Sequence, residues 1–136
     1  MHGNFDDFLP KIDIEVQGQG AKKTITAVID TGNNGYLQLP YIEAFPLGLR
    51  LDGLQDTSLA DGSIVQHLVC RGSVTCDGVT VTSAIDIFPK CHILIGNRLL
   101  SLLKRRAIID VAGNYVELTE SSALPTIQLG DPGEVN

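Results

Sequence analysis

The residues best placed to do chemistry lie at the end of an apolar run. Ala27-Val28-Ile29 stops abruptly at a carboxylate, Asp30, followed by Thr31-Gly32-Asn33-Asn34-Gly35. An alternating apolar pattern resumes at Tyr36, Leu37 and Leu39. That order reads as strand, tight loop, strand, with Asp30 delivered at the end of a core strand. An ionised carboxylate in such a place is costly unless it is hydrogen-bonded or put to use as a proton acceptor or donor. Gly32 and Gly35 permit positive φ and close backbone approach, and Asn33-Asn34 suits a turn closed by side-chain hydrogen bonds. From these residues alone two readings stand: Asp30 is a reactive group, or it caps its own loop.

No rival constellation appears elsewhere. His2, His67 and His92 are far apart, and neither His-x-x-x-His nor Cys-x-x-Cys occurs, so neither a metal site nor any other cofactor is expected. Cys91-His92 would point to opposite faces of an extended chain. A cysteine nucleophile would need His67 brought from a distance, and structural roles are the simpler reading. Ser58 and Ser63 have no obvious base. Lys104-Arg105-Arg106 reads as a solvated helix end, and no glycine-rich phosphate loop opens a helix.

The elements that must position Asp30 are predominantly strands. Residues 11–16 place Ile12, Ile14 and Val16 on one face and Lys11, Asp13 and Glu15 on the other. A turn at 17–20 returns the chain as a strand over 23–29, a hairpin leading directly into Asp30. A short helical turn is expected at 41–45, stopped by Pro46, and 50–55 reads as loop. Residues 57–60 start a strand that reverses at Asp61-Gly62, expected to be a type I′ pair. The return over 64–75 ends at a second such pair, Asp77-Gly78, and a β-rich run over 79–87 follows. Ile93-Leu94-Ile95 is a short apolar strand ending at Gly96. Residues 97–104 form the one convincing helix, with Asn97 as N-cap and Lys104-Arg105-Arg106 as its C-terminal turn. A last hairpin spans 107–118. The expected organisation is a lead-in over 1–10, one domain over 11–119 and a flexible tail over 120–136, rich in Ser, Pro, Gly and acid.

Bulk composition narrows the partners. The 136 residues are 43% hydrophobic and 19% charged, enough for one globular core. A formal charge of −6 and the absence of Trp argue against nucleic acid, and no basic patch suits a membrane surface. No apolar run approaches the ~18 residues of a membrane span. The N-terminal residues carry neither a basic segment nor an apolar one, so no secretory signal is expected. Cys70, Cys76 and Cys91 are odd in number. Cys70 and Cys76 on one extended strand would lie about 20 Å apart, too far to bond. A reduced, cytoplasmic setting is expected.

Taken in order, Val28-Ile29-Asp30-Thr31-Gly32, Leu39-Pro40, Leu59-Ala60-Asp61-Gly62-Ser63 and Ile93-Leu94-Ile95-Gly96 with Leu99-Leu100 resemble the retropepsin-like aspartic proteases, most closely their small single-lobe bacterial members. The resemblance covers residues 11–119. It implies an all-β, single-lobe acid-protease barrel with one short C-terminal helix, acting as an aspartic endopeptidase. Such an enzyme needs two carboxylates close enough to share a proton, one acting as base on a water while the other donates to the substrate carbonyl. This chain has one Asp-Thr-Gly, so the resemblance implies a homodimer in which Asp30 of each subunit meets its mate on a two-fold axis. Thr31 would hydrogen-bond across that axis and Gly32 would allow close approach. Ala60, Asp61, Gly62 and Ser63 would be the flap over a peptide or protein substrate. Two features depart from the family pattern. Asn97-Arg98 stands where an acidic residue is frequent, and the flap tip is polar where aromatic or apolar residues are frequent. The polar tip keeps open a second reading, a catalytically inactive dimeric module of the same fold that binds peptides or partner proteins.

Overall fold

The computed structural model describes residues 1–122, so most of the expected tail, 123–136, lies outside the described residues. The described chain forms ten strands and two short helices. They are β1 (Asn4–Asp6), β2 (Leu9–Gln17), β3 (Lys22–Ile29), β4 (Leu37–Pro40), α1 (Tyr41–Ala44), β5 (Arg50–Ser58), β6 (Ile64–Cys76), β7 (Val79–Phe88), β8 (Leu94–Ile95), α2 (Asn97–Leu103), β9 (Arg105–Asp110) and β10 (Tyr115–Glu120). A 3-10 turn over Phe45–Leu47 extends α1 through Pro46.

The main sheet runs β1-β2-β3-β8-β4-β7-β6-β5, and a further pairing of β2 with β6 closes six of its strands into a barrel. Alternation explains what fills it. Ile12, Ile14 and Val16 of β2, Ile25, Ala27 and Ile29 of β3, and Ile85 and Ile87 of β7 all point inward and are buried. Each of these isoleucine and valine side chains stabilises the fold by roughly 1.5–3 kcal/mol relative to exposure. Leu99, Leu100 and Leu103 of α2 close one side, as their one-sided spacing predicts.

Several local expectations need correction. Residues 50–55 are not a loop. They belong to β5, which pairs with β6 from Arg50↔Arg71 to Ser58↔Ile64 around a bulge between Leu51 and Gly53. Most of β5 is exposed on both faces, so its sequence carries no alternation. The two Asp-Gly turns also differ. Asp77 and Gly78 both have positive φ, 52° and 76°, as a type I′ pair requires. At the other hairpin only Gly62 does, at 87°. There Gly62 N–H donates to Leu59 O at 2.9 Å and Leu59 N–H to Ser63 O at 2.8 Å, giving a three-residue loop with glycine at its left-handed position.

The helix boundaries shift too. Gly96 is the N-cap of α2 and Asn97 its first helical residue. Lys104 ends the helix in the left-handed conformation at φ 56°, and Arg105-Arg106 open β9. Within residues 1–10, β1 folds onto β2 through Asp7 and Phe8, both at positive φ. The Met1 amino group donates to Leu118 O at 2.9 Å, and Gly3 N–H to Val116 O at 2.9 Å, so the first residues run along β10.

Candidate active site

The Asp30 loop joins two strands that do not pair with each other. β8 lies between them, parallel to β3 (Val28↔Leu94, Ile29↔Ile95) and antiparallel to β4 (Leu37↔Ile95, Gln38↔Leu94). Residues 30–36 must therefore cross two inter-strand spacings, about 10 Å, over the end of a buried strand. This explains the sequence change at Asp30. Up to Ile29 the chain is in the core, and one residue later it reaches the rim, where Asp30 is half-buried and Thr31 and Gly32 are exposed.

Backbone bonds hold the carboxylate in place. Asp30 N–H donates to Ile95 O at 2.9 Å, extending the β3–β8 pairing by one residue. Asp30 Oδ1 accepts Gly32 N–H at 3.0 Å, and Asn33 N–H donates to Asp30 O at 3.1 Å. Among the described residues Oδ2 has no protein hydrogen bond. One oxygen thus caps the loop, and the other has no protein partner among the described residues.

A second set of bonds comes from the start of α2. Gly96 N–H donates to Tyr36 O at 2.8 Å, Asn97 N–H to Asn33 O at 2.8 Å and Arg98 N–H to Gly35 O at 3.0 Å. Asn97 Nδ2 donates to Thr31 O at 2.8 Å. N–H groups that a helix start leaves without internal partners thus go to the carbonyls of the Asp30 loop. Asn33 Oδ1 accepts Gly35 N–H at 2.6 Å, the side-chain-closed turn expected of this Asn pair. Gly96 and Asn97 read in the sequence as a strand end and a helix cap, and only the structure sets them against residues 31–36. The available signal was the apolar Ile93-Leu94-Ile95 run, which had to pair beside β3.

Ala60, Asp61, Gly62 and Ser63 sit together at the exposed tip of the β5–β6 hairpin. Asp61 Oδ1 accepts both the amide and the hydroxyl of Ser63, at 2.9 and 2.6 Å. The Ser63 hydroxyl and then its amide hold the Asp61 carboxyl below the usual carboxylate range, so the tip stays negatively charged in mild acid.

The other candidates are engaged elsewhere. The cysteines are free thiols, and burial raises each: Cys76 to about 11, Cys70 and Cys91 upward from the ordinary thiol range. Such thiols are poor nucleophiles at neutral pH. Both ring nitrogens of His67 face Thr57 and Asp86 rather than a cysteine. Among the described residues no group of three or more His, Cys, Asp or Glu is arranged to hold a metal ion.

No protein-family model matches the chain, and no curated protein sequence matches it. Solved structures do. The EIAV protease, in complex with the inhibitor HBY-793, superposes with a TM-score of 0.62 at 13% identity, over 74% of this chain and 93% of that one. The simian foamy virus (mac) protease, a solution structure, gives a TM-score of 0.51 at 17% identity, over 72% of this chain and 99% of the other. With its closed β barrel, and α2 as the helix nearest the C-terminus among the described residues, the chain has the single-lobe fold of the retropepsin-like aspartic proteases.

Proposed function

We propose that the protein is an aspartic endopeptidase that works as a homodimer, with Asp30 of each subunit forming the catalytic pair. The observation that carries this reading is the Asp30 carboxylate itself: one oxygen tied to Gly32 N–H, the other free, at the exposed rim of a retropepsin-like barrel. A single half-buried carboxylate has no partner with which to share a proton, and a two-fold copy would supply one. Exposed Thr31 and Gly32 would then lie against their counterparts and keep the two loops in register. A water between the carboxylates loses a proton to one Asp30 and attacks the peptide carbonyl, while the protonated mate donates to the carbonyl oxygen. The substrate lies extended across the dimer groove, paired with strand edges and covered by the tips Ala60–Ser63. The free thiols fit a reducing, cytoplasmic setting, which belongs to the same proposal.

The test is Asp30→Asn, which preserves shape and the Gly32 hydrogen bond but removes the charge. Wild-type protein incubated with a mixed peptide library from pH 3 to 8 should cleave it, and the variant should not, while sedimentation shows the same dimer for both. Cleavage retained by Asp30→Asn would overturn the assignment. One observation favours a second reading, a peptide-binding module without hydrolysis: the exposed hairpin tip is polar and satisfies its own carboxylate. Peptide binding without cleavage by the wild-type dimer would select it.

A further inference from the structure

The β5–β6 hairpin leaves the body of the protein at a buried histidine. Residues 54–66 are exposed or half-exposed throughout, whereas His67 is only 4% exposed. Its ring stacks on Phe88, with centroids 4.4 Å apart and planes 20° from parallel. Nδ1 lies 3.0 Å from Thr57 Oγ1, on the outgoing arm β5, and Nε2 lies 3.1 Å from Asp86 Oδ1, on β7. An ionised Asp86 only accepts, so a neutral ring donates from Nε2 to Asp86 and accepts the Thr57 hydroxyl at Nδ1. Three adjacent strands are joined through one side chain with no ring nitrogen left over.

The far end of this chain reaches the Asp30 loop. A Cβ placed on Gly35 would lie 3.5 Å from Asp86 Oδ2, so the second oxygen of Asp86 borders the loop that carries Asp30. Thr57, His67 and Asp86 thus run from the lid arm to the wall beside the carboxylate.

We propose that His67 is a positioning residue that clamps the lid. By fixing β5 to β7 at Thr57 it restricts swinging to the tip beyond, residues 58–64, about 10 Å of arm on either side. This rests on reading that hairpin as the cover over substrate. A short stiff tip returns to the same place after each opening, so the clamp acts on substrate retention more than on the bond-breaking step.

His67→Phe keeps the stack on Phe88 and removes both nitrogens. Amide hydrogen exchange on the whole protein should then quicken by about tenfold at 54–57 and 65–69, the scale of the two lost hydrogen bonds, with β2 and β3 unchanged. Thr57→Val, which removes one hydroxyl at a half-exposed site, should quicken the same amides by about threefold. His67→Gln, retaining a donor and an acceptor, should restore most of the protection. In peptide cleavage, His67→Phe should raise KM about fivefold while kcat changes less than about twofold. Unchanged hairpin exchange in both His67→Phe and Thr57→Val overturns the clamp, as does uniform quickening over the whole barrel. The exchange readout needs no proteolysis, so loss of the peptidase reading through Asp30→Asn leaves the clamp standing, and the reverse also holds.

Discussion

Gly96→Ala tests whether the start of α2 holds the Asp30 loop together. Gly96 has ordinary extended backbone, φ −92° and ψ 175°, so alanine costs nothing conformationally. The obstacle is space. A Cβ there would sit against the carbonyl oxygen of Gly35, 2.7 Å from Gly35 C and 2.8 Å from Asn33 Oδ1. Neither neighbour can move freely. Gly35 O accepts Arg98 N–H at 3.0 Å, and Asn33 Oδ1 accepts Gly35 N–H at 2.6 Å. Overpacking of this kind costs about 1–3 kcal/mol, and each weakened backbone bond adds about 1 kcal/mol. A total near 3 kcal/mol follows. With an unfolding entropy of about 0.25 kcal/mol per kelvin for roughly 120 ordered residues, that lowers Tm by about 10 °C. The assay is thermal unfolding by circular dichroism, wild type and variant at one protein concentration, because the proposed dimer would make Tm concentration-dependent. Peptide cleavage measured well below both transitions should fall further than stability alone explains, since the displaced residues carry Asp30. A Tm within about 2 °C of wild type would refute the packing argument, that shift being worth only about 0.5 kcal/mol.

Two more outcomes follow from the geometry. Asn97→Ala removes the bond from Nδ2 to Thr31 O; at an exposed site this costs about 0.5–1 kcal/mol, so Tm should drop by only a few degrees, while dimer affinity measured by sedimentation should weaken if Thr31 lies at the interface. Burial raises the Cys76 thiol to about 11 from an unfolded value near 9, so folding favours its neutral form. The stability this contributes is complete below pH 9 and lost as pH rises to 11, up to about 2 kcal/mol after allowing for solvent screening. Urea titrations at pH 8, 9, 10 and 11 should show a steeper alkaline loss in wild type than in Cys76→Ala, and equal slopes would contradict it.

The parts of this architecture legible in the sequence are those where burial or turn chemistry imposes a pattern. Ile12, Ile14 and Val16 alternate because one face of β2 fills the barrel. Asp77-Gly78 reads correctly because both residues must take positive φ. Asp30 stands out because a carboxylate ends a core strand. What escaped lacks such pressure. β5 is solvated on most sides, so nothing in Arg50–Ser58 alternates. Met1 to Gly3 join β10 through backbone groups alone, which every sequence possesses. Asn97 reads as a cap because Asn suits that position, yet its side-chain amide serves the Thr31 carbonyl instead. His67 and Asp86 look like unrelated residues until three strands bring them together.

The insertion of β8 between β3 and β4 also has a temporal consequence. Asp30 cannot take up its bonded position until Ile95 is in place, and Thr31 waits for Asn97, 66 residues further along the chain. Closure over such a distance is entropically slow compared with forming the β2–β3 hairpin. On the ribosome, the loop bearing the carboxylate is therefore made early and shaped late, once the strand that orders it has emerged. A nascent chain ending before Leu94 would carry Asp30 without the strand that holds it, a built-in delay between synthesis of the loop and its ordering.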